Sequence, residues 1–213
     1  MSIYSRLKLH TAPSIEPVTL AETKAHLRVE NSADDTIIGN LITSARQMAE
    51  QYTAMCFVDT TWDLFMDEWP AAYNDPWWNG VREIPIGYYN KNSYIEIPIA
   101  PLQSITHIMT YDNSDTATTI ASTEYQVSTY SGINPKRGKI TLRDGAIWPS
   151  FDRNADGIEI RFVCGFGTAT TDVPETIRQA LLIDIAFRYE NRGDGNISEN
   201  SKKLLSQYRP IIL

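Results

Sequence analysis

The chain has 213 residues, 42% hydrophobic and 21% charged, which is enough to bury a sizeable core and sets disorder aside. No apolar run approaches a membrane span, and no continuous apolar stretch follows Arg6 and Lys8, so neither a membrane protein nor a secretory signal is expected, and synthesis in the cytoplasm is. A net charge of -7 argues against tight wrapping of duplex DNA, which needs clustered Lys and Arg, and does not exclude a surface past which DNA slides.

In chain order, Thr19 with Glu22 three residues on forms a capping box, and the spacing predicts a short helix from about Val18 to Val29. Asn31 to Asp35 breaks it and caps a second helix, in which Ile37, Ile38, Leu41, Ile42, Ala45, Met48, Ala49 and Tyr52 recur at helical spacing up to Thr53.

From Thr60 the pattern turns to short β-branched and aromatic runs separated by Pro, Gly and Asn. Strands are predicted at Thr61–Met66, Tyr94–Ile99, Ser104–Tyr111, Tyr125–Thr129, Gly138–Leu142 and Gly157–Cys164. Between the first two lies an aromatic excursion from Trp69 to Tyr89 with Trp77, Trp78, Tyr88 and Tyr89. That cluster reads as a local core, as subunit-contact surface, since Trp and Tyr are favoured anchors, or as a platform for sugar or single-stranded nucleic acid.

Asp172-Val173-Pro174-Glu175 then starts a helix running from Ile177 to about Tyr189, apolar enough to require central burial against the second helix. Asp184 and Arg188, one turn apart within it, are expected to pair. A polar linker from Gly193 to Ser201 leads to an arm carrying Leu204, Leu205, Tyr208, Arg209, Ile211, Ile212 and Leu213. So short a segment must dock: either it folds back on its own domain, or it reaches a neighbouring subunit or partner, where Arg209 would meet a carboxylate. The sum is an α+β fold, a helical base assembled from both ends of the chain (18–53 and 174–190) with an antiparallel β block (60–165) inserted, all in one domain spanning 1–213.

Catalytic constellations are incomplete. His10, His26 and His107 fall in different elements, and Cys56 and Cys164 form no CxxC, so no metal site, zinc site or disulfide framework is predicted and buried thiols are. Gly165-Phe166-Gly167 lacks the third glycine of a dinucleotide loop and reads as a strand end and turn. Asp152-Arg153-Asn154-Ala155-Asp156-Gly157 copies the start of a calcium loop, but its twelfth position is Val163 where a Glu is needed, and it reads as a β-turn. No catalytic residue, cofactor or metal is assigned.

Several stretches in order carry a resemblance: Glu16 to Leu20 with Lys24 to Val29, Asp34-Asp35 leading to Tyr52, Ile97-Pro98 with Pro101-Leu102, Trp148-Pro149, Gly165 to Gly167, Val173-Pro174 leading to Tyr189-Glu190-Asn191-Arg192, and Leu204-Leu205 with Tyr208-Arg209. Together they resemble the head-tail connector (head completion, or adaptor) family of long-tailed double-stranded DNA phages and gene transfer particles. The resemblance implies a non-enzymatic structural virion protein at the neck, in a homo-oligomeric ring of twelve copies. Its implied partners are the portal protein above and a stopper or tail-completion protein below, with double-stranded DNA passing without sequence-specific binding. As interface candidates it leaves Trp77, Trp78, Tyr88 and Tyr89 of the excursion, and Leu204, Leu205, Tyr208, Arg209 and Ile211 of the arm. The competing reading is a non-catalytic binding module with an aromatic carbohydrate- or receptor-binding surface.

Overall fold

The computed structural model describes residues 5–70, 94–129, 137–191 and 196–209. Trp77, Trp78, Tyr88, Tyr89 and Ile211 lie outside the described residues. The architecture is α+β, with helices α1 (Leu20–Leu27), α2 (Asp35–Thr53), α3 (Glu175–Glu190) and α4 (Glu199–Leu205) beside two antiparallel sheets.

The larger sheet has the order β1-β2-β8-β4-β5, built from β1 (Ser5–Thr11), β2 (Thr60–Met66), β8 (Ile158–Cys164), β4 (Leu102–Tyr111) and β5 (Ala117–Thr119). The smaller has the order β3-β7-β6, from β3 (Tyr94–Glu96), β7 (Lys139–Leu142) and β6 (Tyr125–Ser128). Two strands, β1 and β5, depart from the sequence reading. The β block is therefore not wholly an insert, because β1 precedes the helices and pairs with β2 from Ser5 against Met66 to Thr11 against Thr61. As an edge strand β1 carries only Leu7 and Leu9 among Arg6, Lys8 and His10, too little apolar signal to read from sequence. Strand β3 ends at Glu96 rather than Ile99, since Pro98 has no N–H to give to a ladder.

Helix α1 begins as its sequence dictates: the Glu22 N–H donates to Thr19 Oγ1 at 3.1 Å, and the Thr19 N–H donates to Glu22 Oε2 at 2.8 Å. It ends where Arg28 turns left-handed at φ 57°. Asp34 stands at the N-cap of α2 but caps nothing with its side chain, which instead accepts from the Tyr189 hydroxyl at 2.6 Å. The expected cap is thus spent on tying α2 to α3.

Ile38, Ile42, Ala45 and Ala49 of α2 face Ile177, Ala180, Leu181 and Ile185 of α3 in one buried cluster, and α3 touches α1, α2 and α4 in turn. Leu41 and Tyr52 only flank that stripe, partly exposed. Pro174 occupies the N-cap of α3, so the helix starts at Glu175. Helix α4 opens inside the expected linker, at Glu199, with the Ser201 N–H donating to Ser198 Oγ at 3.2 Å. It lies against α3, and Leu205 and Tyr208 are buried among the helical core residues.

A second cluster fills the space between the sheets, where Leu64, Ile108, Ile140, Ile158, Ile160 and Phe162 meet. Trp69 stacks on Trp148 with ring centroids 4.4 Å apart, and its indole N–H donates to the Pro149 carbonyl at 2.8 Å, so the first residue of the excursion is anchored to the β core. The two clusters meet at Gly165, whose φ is +141° and whose missing Cβ would lie 2.5 Å from the Val58 carbonyl carbon. Only glycine lets β8 end against the segment that leaves α2. The Asp59 N–H donates to the Gly167 carbonyl at 3.0 Å and the Phe166 N–H to that of Phe57 at 3.3 Å, closing the junction. Cys56 and Cys164 are both free and buried there, and burial together with the neighbouring Cys56 pushes the Cys164 thiol far up.

Candidate functional site

Strand alternation sends Ile158, Ile160 and Phe162 of β8 into the core and leaves Glu159 and Arg161 on the opposite face of the larger sheet. Asp63 of β2 lies opposite Arg161, which lies opposite His107 of β4. The Arg161 Nε–H donates to Asp63 Oδ1 at 2.6 Å, and Nη2 reaches Asp63 Oδ2 and Glu159 Oε1, both at 3.2 Å. His10 Nδ1 of β1 lies 3.2 Å from Asp63 Oδ2, and His107 Nε2 lies 3.1 Å from Glu159 Oε1. The Tyr111 hydroxyl donates to Glu159 Oε2 at 2.5 Å, and burial with this bond pushes its phenol up to about 12.

A polar ribbon thus crosses four strands. Asp63 and Glu159 are 3% and 7% exposed, and each oxygen named has a donor on it. Saturated carboxylates of this kind hold strands in register and leave no open position for a substrate or a metal. The sequence signal was faint: Glu159 and Arg161 two apart on one strand face, with partners on β1, β2 and β4 that only the topology brings together.

The helical base carries similar staples. Arg46 of α2 donates through Nε to Glu16 Oε2 at 2.7 Å and through Nη1 to Glu50 Oε2 at 2.9 Å. Glu50 also accepts from the Phe57 N–H at 2.9 Å, yet desolvation outweighs these bonds and raises its carboxyl above the ordinary value. Asp184 is 1% exposed, accepts from Arg188 Nε at 2.7 Å as the spacing predicts, and also accepts from the Ser198 N–H at 2.7 Å. The latter bond fixes the start of α4 and could not be read from sequence.

Asp156 of the calcium-like segment is turned left-handed at φ 53° within a bend, and its carboxylate sits 2.5 Å from Arg6. Among the described residues no group of three or more His, Cys, Asp or Glu could hold a metal ion. Of the arm candidates, Leu205 and Tyr208 are buried in the helical core, Leu204 packs partly buried against it, and the exposed Arg209 lies over the Tyr52 ring, 5.3 Å from its centroid.

Solved structures share this fold over nearly the whole chain. A chain in the neck of an empty gene transfer agent (GTA) particle computed with C6 symmetry is 22% identical with a TM-score of 0.74, covering 98% of this chain and 97% of that one. One in the virion of a native GTA particle is 22% identical with a TM-score of 0.70, covering 97% and 96%. Another, in the neck of a native GTA particle computed with C12 symmetry, is 21% identical with a TM-score of 0.65, covering 98% and 97%. At these identities the likeness speaks to the fold. Comparison with curated protein sequences gives no match. Residues 17–129, more than half of the chain, match the family described as phage gp6-like head-tail connector protein. With that match over α1, α2 and most of the β block, the chain belongs to the phage gp6-like head-tail connector family.

Proposed function

We propose that this chain is a non-catalytic adaptor subunit in the neck of a phage-like particle, one of a ring of twelve copies that joins the portal of the DNA-filled head to a stopper or tail-completion protein. The observation that carries the reading is the family match over residues 17–129, and the likeness of the whole fold to chains of GTA necks supports it. The saturated polar ribbon and the buried Asp184–Arg188 pair suit a subunit whose task is to keep its shape. A net charge of -7 suits a ring through which DNA passes without sticking.

The test is deletion of the gene followed by complementation. Particles without the chain should accumulate as DNA-filled heads and separate tails that fail to join, and the wild-type chain supplied in trans should restore joining. Normal joining in its absence would overturn the reading. Retained joining with lost attachment to host cells would favour a receptor-binding module instead.

A further inference from the structure

We infer that the free edge of β1 takes up an extended segment of a different protein as a further strand of the larger sheet. The segment alternates apolar side chains, set beside Leu7 and Leu9, with acidic ones, set beside Lys8. The inference rests on the geometry of this chain and stands apart from the adaptor reading. Strand β1 closes one side of the order β1-β2-β8-β4-β5, and among the described residues no strand pairs with its outer edge. From Ser5 to Leu9 its ladder to β2 runs without a break, so the opposite edge offers an unbroken row of backbone donors and acceptors. Such an open row is a template for another strand.

The two sides of β1 differ, and they set the chemistry of the occupant. Leu7 and Leu9 lie opposite Leu64 and Trp62 on the side of the sheet that faces the core, yet they are 42% and 45% exposed while Leu64 is 2% exposed. The apolar face therefore runs out past β2 further than its cover does. Beside Leu9 opens a cleft of about 540 Å³ between β1, β2 and the second half of α2, walled by Ala54, Met55, Trp62 and Ile99 among others. The Trp62 indole N–H in that wall has no acceptor among the described residues. A side chain set beside Leu9 on an added strand would project over this cleft, so apolar residues fit there.

On the other side of the strand stand Arg6, Lys8 and His10. Arg6 Nη2 lies 2.5 Å from Asp156 Oδ1 and His10 Nδ1 3.2 Å from Asp63 Oδ2, whereas the exposed Lys8 makes no ion pair among the described residues. Opposite charges set across from one another stabilise a strand pair, and like charges destabilise it. Two β1 edges paired antiparallel about Lys8 would bring Lys8 to Lys8 and Arg6 to His10, which sets a symmetric pair of copies aside. The other described edges of a second copy fit no better: β5 (Ala-Thr-Thr) and β6 (Tyr-Gln-Val-Ser) carry no carboxylate, and β3 is three residues long with Glu96 alone. The occupant is thus a strand of another protein, apolar and acidic by turns.

The experiment titrates the full chain with an end-blocked peptide of seven residues, the length of β1, that alternates valine and glutamate. Binding should saturate and slow amide exchange over 5–11. A peptide alternating valine and lysine should bind about tenfold more weakly, the combined gain and loss of one cross-strand charge pair, and Lys8→Glu should reverse that order. In assembled particles, benzoylphenylalanine in place of Leu7 should photo-cross-link to an apolar and acidic segment of another particle protein, located by mass spectrometry. Absent binding, equal binding of the two peptides, or protection away from 5–11 overturns the inference. So does a cross-link to a second copy of this chain, or to no protein. Each of these failures leaves the adaptor reading standing, since gene deletion and complementation test that reading separately.

Discussion

Asp184 is the side chain whose removal should cost most for its size. It is 1% exposed and its two oxygens hold different parts of the fold: Oδ2 takes the Arg188 guanidinium at 2.7 Å, and Oδ1 takes the Ser198 N–H at 2.7 Å where α4 begins. In Asp184→Ala the buried guanidinium keeps Met48 Sδ, 3.0 Å from Nη2, and no carboxylate is left to it within the described helices. Leaving a buried charge uncompensated costs about 3 to 5 kcal/mol, within which the orphaned Ser198 amide accounts for roughly 1 to 3 kcal/mol. Arg188→Met should cost a similar amount, because the carboxylate then stays buried with one amide. The double variant Asp184→Leu with Arg188→Met removes both charges and leaves only the Ser198 amide unpaired, so it should lose about 1 to 3 kcal/mol, less than either single change. Urea unfolding of the four proteins compares these losses, and hydrogen exchange over 199–208 reports whether α4 loosens first. A loss below about 1 kcal/mol for Asp184→Ala, or a double variant that loses the sum of the two singles, would refute the reasoning.

Three further outcomes follow from the same geometry. Leu181→Ala, at 1% exposure in the helical core, should cost roughly 2 to 5 kcal/mol, and Leu41→Ala clearly less because Leu41 only flanks that core; equal losses in thermal or urea melts would contradict the packing. Truncation after Asn200 should lower the melting temperature of the isolated subunit, since it removes Leu205 and Tyr208 from the core, and an unchanged melt would mean that the arm docks elsewhere. The Tyr111 phenol, raised from 10.0 to about 12 by burial and its bond to Glu159, is favoured in its protonated form by the folded state. Its contribution is full below pH 10 and lost as pH rises toward 12, so alkaline unfolding of Tyr111→Phe should lack that part of the pH slope, read by ellipticity against pH.

The helices were legible because periodicity and caps are local. Thr19 with Glu22 starts α1 as written, the α2 stripe is readable from Ile38 to Ala49, and the Asp184–Arg188 pair follows from helical spacing. What escaped depends on distant partners. Strand β1 is held by its ladder to β2 and by long-range bonds from His10 and Arg6, not by its own apolar content. Helix α4 was hidden in a polar run because Ser201 and Leu205 are buried against an α3 whose position the run does not encode. The polar ribbon needs four strands placed side by side before His10, Asp63, Arg161, Glu159 and His107 become one feature. On the functional side the family was carried by the order of short stretches, whereas the aromatic excursion with Trp77, Trp78, Tyr88 and Tyr89 lies outside the described residues.

The adaptor reading stands or falls on where the chain sits in an assembled particle. A cryo-EM reconstruction of the neck, computed without imposed symmetry and with this chain tagged at an exposed position, tests that most directly. A closed ring of twelve copies of this fold between portal and tail is the expected result. A neck from which the tagged chain is absent, or one that holds it as a single copy away from the DNA path, would contradict it.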